Sequence, residues 1–177
     1  MYHIHGDKRV QRSAEIIING LMKCLKTKPV SDLSVSDVAS AATISRATFY
    51  RIFDTPTDAL TYLCDTLAEE VVAEHSTFKA TTRDEFVLHT LTLWMQRSDK
   101  LEAIMRSGRH DLLQAAFGRH SEQFNSDSPQ IFDKSEIDYV KGFFAATMCS
   151  ILYVWTIRGK RETPEQLLQV FKKLAIC

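Results

Sequence analysis

At 177 residues, with 22 basic and 22 acidic side chains and 45% apolar residues, the chain reads as a soluble globular protein with a real core. Four scattered cysteines (Cys24, Cys64, Cys149, Cys177) with no CxxC pair exclude a disulfide framework and read as reduced thiols in a cytoplasmic protein. Zero net charge argues against a nucleic-acid binder, but the charge is unevenly spread. Residues 1–53 hold eight Lys/Arg against four Asp/Glu, a net of +4, so residues 54–177 carry −4. The opening "MYHIHGDKRVQR" has no apolar h-region, so no secretory signal is expected.

In chain order the pattern is helical almost throughout, and no alternating apolar run is bounded by hairpin turns. A first helix is expected from about Lys8 to Lys26, with Ala14, Ile17, Ile18, Leu21 and Leu25 on one stripe; "TKPVSDLS" breaks it. Ser34 and Asp37 resemble a capping box for a second helix, Val35 to about Ala42. Ser45 is a good N-cap for a third. Thr55-Pro56 opens a fourth, reaching about His75, with proline where its missing N–H costs nothing.

Thr82 and Glu85 open a fifth to about Arg97, apolar around most of its circumference and so expected to be central. A short sixth spans Lys100–Arg106 and a seventh roughly Arg109–Phe124, followed by a loop at 125–130 ("NSDSPQ"). Asp133 and Glu136 begin a long eighth to about Arg158. Thr163, Pro164 and Gln166 begin a ninth that reaches the C-terminus. The run from Gly142 to Ile157 is sixteen residues without a charge. That is short of the roughly 20 apolar residues a membrane span wants, so a buried helix is expected instead.

Two short helices, a tight turn and a third helix across them match a helix-turn-helix, whose second helix enters the DNA major groove. In "ISRATFYRIF" (44–53), Phe49 and Phe53 at i and i+4 point inward and leave Ser45, Arg46, Thr48 and Tyr50 outward. Arg46 can read guanine bidentately, Thr48 can meet a thymine methyl or a phosphate, and Ser45 and Tyr50 suit phosphate. Ser34, at a helix N-terminus, can add a phosphate contact. A merely solvated amphipathic face fits the same composition, and spacing alone does not separate the two.

The stretch "LSVSDVASAATISRATFYRIF" (33–53) resembles the N-terminal signature of the tetracycline-repressor-like (TetR) family of bacterial regulators. Ser34-Val35, Val38-Ala39, Ala42, Ile44-Ser45, Ala47-Thr48-Phe49-Tyr50 and Phe53 fall in its register. The C-terminal "DYVKGFFAATMCSILYVWTIRGKRETPEQLLQVF" is similar to the branch that regulates dihydroxyacetone kinase operons. Two positions depart from the pattern. The family's turn glycine is Thr43 here, which implies a less comfortable backbone angle. The family's phosphate-binding lysine is Pro56, which leaves that contact to Thr55 or Thr57.

The resemblance implies an all-α chain of about nine helices, with a DNA head at 1–54 and a ligand-binding and dimerisation body at 55–177. The DNA-contacting set is then Ser34, Ser45, Arg46, Ala47, Thr48, Tyr50, Arg51 and Thr55, on a near-palindromic double-stranded operator. A homodimer is expected, since two heads about 34–36 Å apart match two half-sites. Its implied interface uses helices eight and nine: Gly142, Phe143, Ala146, Cys149, Ser150, Tyr153, Leu168 and Phe171. The bland reading packs these residues within one subunit.

For an effector pocket, Trp94, Met95, Met105, Phe117 and Phe144 are wall candidates, and His89, His110 and Tyr139 are polar anchors. Each also fits a plain core role. The implied activity is repression lifted by a small molecule; the alternative is a body that docks a protein coactivator. No HExxH, GxSxG or Gly-rich phosphate loop is present, so no enzyme, cofactor or metal is expected. The His3/His5 pair and the His110/His120 pair lack metal-ligand spacing. A lone buried Cys64 or Cys149 is more often packing than a redox sensor.

Overall fold

Local signals close the helices, and one continuous apolar core holds them together. The computed structural model describes residues 2–4, 8–120 and 136–174. Among these residues the chain is all-α, with α1 Lys8–Cys24, α2 Val35–Ala41, α3 Arg46–Tyr50, α4 Pro56–His75 and α5 Arg83–Gln96. They continue with α6 Ser98–Arg106, α7 His110–His120, α8 Ile137–Ile157 and α9 Pro164–Leu174. A 3-10 turn at Val30–Asp32 occupies what the sequence suggested was only a break. The expected 125–130 loop, the Asp133 start, the seventh helix beyond His120, His5 and the last residues of the ninth helix lie outside the described residues.

The helix starts follow capping chemistry. Ser34 and Thr55 each accept from the backbone N–H three residues on, while the Asp37 and Asp58 carboxylates accept from the two cap N–H groups. Thr82 caps α5 through the Glu85 N–H. The sixth helix starts earlier than expected, at Ser98, because Arg97 (φ −99°, ψ 31°) breaks α5 without leading the chain away.

In three dimensions α1, α2 and α3 form a small head on the start of α4, and α4 continues through the body against α7 and α5. The core runs unbroken from Ala14 through Leu63, Leu91 and Leu113 to Phe171. Head and body are also tied by backbone: Val30 N–H donates to the Ser107 carbonyl at 3.1 Å. Gly20 permits close approach of α1 to the end of α2, since a Cβ there would meet the Ala42 Cβ at 2.6 Å. Any side chain at 20 forces these helices apart. The fifth helix is less enclosed than its composition suggested. Val87, Leu91, Leu93 and Trp94 are buried, but Phe86, Leu88 and Met95 are only partly so, and α4 is the more central helix.

Tyr2 and His3 are tied to the residues that follow α3. Tyr2 forms an antiparallel bridge with Phe53, and the His3 N–H donates to the Ile52 carbonyl at 2.8 Å. The Tyr2 ring meets Tyr62 edge-on, and its hydroxyl donates to Asp65 of α4 at 3.2 Å. Arg119 of α7 pairs with the same carboxylate. His3 Nε2 lies 3.1 Å from Asp54 Oδ1.

Candidate nucleic-acid interface

The third helix is only five residues long and owes its position to its inner side. Phe49, Ile52 and Phe53 are fully buried, with the Phe49 and Phe53 rings 5.9 Å apart and Phe53 against Tyr62 at 5.7 Å. Burying three such side chains contributes on the order of 6 kcal/mol before the entropy of ordering is counted. Arg46, Ala47, Tyr50 and Arg51 are exposed on the opposite side, and Thr48 is half-buried. Arg46–Tyr50 and Ala47–Arg51 are i,i+4 pairs, so two guanidinium groups and a phenol share one outer surface. Ser45 is exposed, but its hydroxyl also accepts from the Thr48 N–H at 3.1 Å and lies 2.9 Å from Thr48 Oγ1.

The turn between α2 and α3 is closed by the Ile44 N–H on the Ala39 carbonyl at 3.0 Å. To make it, Thr43 adopts φ 57°, the left-handed region the sequence reading anticipated there. A β-branched side chain in that region is strained.

Ser34 and Thr55 are exposed, yet their hydroxyls each donate to a carboxylate at 2.7 Å, Asp37 and Asp58 respectively. The Ser34 backbone and side-chain hydrogen bonds, helped by Lys28, hold Asp37 down at about 2, so it stays charged. An anion approaching Ser34 therefore meets no free hydroxyl but the charged Asp37 carboxylate and Lys28, whose Nζ pairs with it at 3.2 Å. Lys23, with Nζ 3.5 Å from the Ala41 carbonyl, stands at the other end of α2. Neither lysine was singled out from the sequence; their spacing in "LMKCLKTKP" was the available signal.

In the body, Trp94, Met105 and Phe117 are buried and Met95 and Phe144 partly so. Trp94–Phe117, Phe117–Phe144 and Phe86–Phe144 ring distances are 5.9, 5.8 and 5.5 Å. His89 is half-buried, its Nδ1 3.0 Å from Nδ1 of buried His75, and Phe78 stacks on it. Desolvation, with His89 nearby, pushes His75 down to about 4. Two of the expected anchors lie elsewhere. His110 is exposed and stacks on Tyr153, and Tyr139 is 82% exposed, because both fall on outward turns of their helices. Burial pushes the Cys64 thiol up, and Cys149 to about 12, so neither offers a thiolate near neutral pH. Among the described residues no cluster of three or more metal-ligating side chains occurs.

Of the residues assigned to the eighth and ninth helices, Gly142, Phe143 and Ser150 are exposed, and Ala146 and Tyr153 partly so. Cys149, Leu168 and Phe171 are buried inside the subunit, where Phe171 packs on Phe144, so they serve its core. The outward stripe of α8 is instead continued by Val154 and Ile157, with Val170 and Leu174 beside it on α9. A groove of about 190 Å³ runs between them, with Trp155 and Glu162 in its wall. By length and composition α8 could cross a membrane (mean hydropathy 1.5), with 33% of that segment buried.

No protein-family model and no curated protein matches the chain. Solved structures do. A TetR transcriptional regulator from Streptococcus agalactiae aligns with TM-score 0.64 and 21% identity, over 95% of this chain and 96% of that one. Lin0861 from Listeria innocua aligns with TM-score 0.79 and 17% identity, over 98% and 94%. The chain has the TetR fold. The dihydroxyacetone kinase operon activator DhaS also aligns, with TM-score 0.60 and 18% identity over 93% and 94%. By their contacts α1 packs on α2 and α4, α2 on α3, and α4 also on α5, α6 and α7.

Proposed function

We propose that this chain is a sequence-specific DNA-binding transcription regulator, dimeric and cytoplasmic, which represses until a small molecule enters its body. Residues 1–54 act as the reading head and 55–177 as the sensing and dimerising body. The outer face of α3 carries this reading: Arg46, Tyr50 and Arg51 are exposed on a rod that Phe49, Ile52 and Phe53 hold by full burial. The net +4 of residues 1–53 supports it, as does a TetR fold shared with solved transcriptional regulators. In this reading Arg46 contacts a base edge, while Ser45, Thr48, Tyr50, Arg51 and the amides left uncapped at the start of α2 and, past Pro56, of α4 contact phosphates.

The exposed apolar stripe of α8 and α9 supports a twofold interface, which would cover it without a membrane. Effector entry shifts the dimer between geometries that fit and misfit two half-sites, which requires the effector to prefer one of them. The test is footprinting of the purified protein on the DNA upstream of its own gene, with sedimentation in parallel. A protected near-palindrome with two half-sites one helical turn apart, occupied by a dimer, is expected. A strict monomer that ignores duplex DNA in low salt refutes the proposal.

A further inference from the structure

Past Arg51, which closes α3, Ile52 and Phe53 are fully buried and lead into Thr55 and Pro56 at the start of α4. The Ile52 carbonyl lies just beyond a helix end, where carbonyls lack intrahelical donors, and Pro56, four residues on, has no N–H to offer. The His3 N–H supplies the donor at 2.8 Å, while Tyr2 bridges Phe53 in antiparallel fashion. Tyr2 and Ile4 both pack on the core from this side. Residues 2–4 thus form a short strap over the chain that leaves α3.

The strap has a further tie, on α4. The Tyr2 hydroxyl donates to Asp65 Oδ2 at 3.2 Å, and the Tyr2 ring lies 5.3 Å from Tyr62. Burial and the Asp65 carboxylate raise the Tyr2 hydroxyl above its ordinary pKa, so it keeps the proton it donates. The other oxygen, Oδ1, takes the guanidinium of Arg119 at the end of α7, with His120 Nε2 3.9 Å away. The Asp65 side chain is only 14% exposed. A carboxylate with so little water relies on the cation beside it. Without the guanidinium, the cheapest remedy is to swing Asp65 towards water, which takes Oδ2 away from Tyr2.

We propose that Tyr2 is a positioning residue for α3 and that Asp65 couples it to α7. With Arg119 on Asp65 the strap is docked and the end of α3 is held; with Arg119 withdrawn the strap opens. Docked and open straps are the two discrete states that such a coupling needs. The consequence for DNA rests on the reading of α3 given above, whereas the coupling itself does not.

The test is amide hydrogen exchange, read by NMR on the full chain, for Tyr2→Phe, Arg119→Ala and the double variant. Melting temperature and retention of the upstream DNA fragment are measured on the same samples. Either substitution should speed exchange of the His3 amide roughly two- to tenfold, the worth of one net hydrogen bond. The Arg119→Ala effect should largely vanish in the Tyr2→Phe background, because the Tyr2 hydroxyl is its route to the strap. The Ile44 amide, on the Ala39 carbonyl, and the Val30 amide, on the Ser107 carbonyl, should exchange as in the unaltered protein. A merely structural hydroxyl would lower the melting temperature and speed all three amides alike. DNA retention should weaken roughly twofold or more in both variants while melting barely moves. A His3 amide indifferent to Arg119→Ala, additive effects in the double variant, or a matching rise at Ile44 and Val30 overturns the inference. A protein that holds DNA equally well with and without the Tyr2 hydroxyl sinks this inference alone; one that shows the exchange coupling but never holds DNA sinks the DNA reading alone.

Discussion

The head and the body handle polar chemistry in opposite ways. In the head, α2 and α3 are too short to hold themselves; a reciprocal cap on α2, a one-way Ser45 cap on α3 and three buried aromatic or branched side chains fix them. Their reactive surface is charged, exposed and already in position. In the body, α4, α5 and α7 meet through a wide apolar core, and the unusual polar groups are inside it: neutral His75 against His89, and Trp94 with its unanswered N–H. An outward polar face is satisfied by water, whereas an inward one must be satisfied by the protein around it.

The sharpest way to break this contrast is Phe49→Ala. Removing the α3 anchor should cost about 3–5 kcal/mol of stability, seen in chemical denaturation, and abolish DNA binding with it. If α3 held its position through its caps alone, the loss would be small. Next, Val154→Glu places a charge in the apolar stripe of α8. Dimer affinity should fall by on the order of 3 kcal/mol in sedimentation equilibrium, with the isolated subunit's helicity unchanged. An unchanged dimer would move the interface elsewhere.

Arg46→Ala separates binding from folding in the head. Operator affinity should drop by about 1–3 kcal/mol and base preference relax at one position, while the melting curve stays put. Titration then probes the body. The folded His75 value, about 4, lies below the usual 6.5, so the unfolded chain takes up its proton first as pH falls. Stability is therefore complete above about pH 6.5, declines by on the order of 2 kcal/mol towards pH 4, and levels off below. His75→Gln should flatten that slope; a slope unchanged in the variant would assign it to other groups. Smallest is Thr43→Gly, which relieves the φ 57° strain and should raise stability by about 0.5–1 kcal/mol without altering DNA affinity.

The sequence and the structure agree best where interactions span four residues or fewer. The Ser34, Ser45, Thr55 and Thr82 caps, the Phe49/Phe53 spacing and the awkward Thr43 were all legible, because each depends on neighbours along the chain. The same local reading placed the stripe of α8 only in part. It grouped Cys149, Leu168 and Phe171 with the outer surface, since an apolar residue looks alike in a core and at an interface. His110 and Tyr139 were drawn inward by residue type alone, and their helix turns point them out.

What residue order alone determined is thus a largely helical pattern with a capped, amphipathic third helix and a long uncharged segment near its end. Only the tertiary structure decided that Tyr2 and His3 brace the back of that helix, that Gly20 must stay bare beneath Ala42, and that Trp94 lacks a partner. Backbone capping is written within one turn of chain, whereas packing distances and unmet hydrogen bonds depend on residues tens of positions apart.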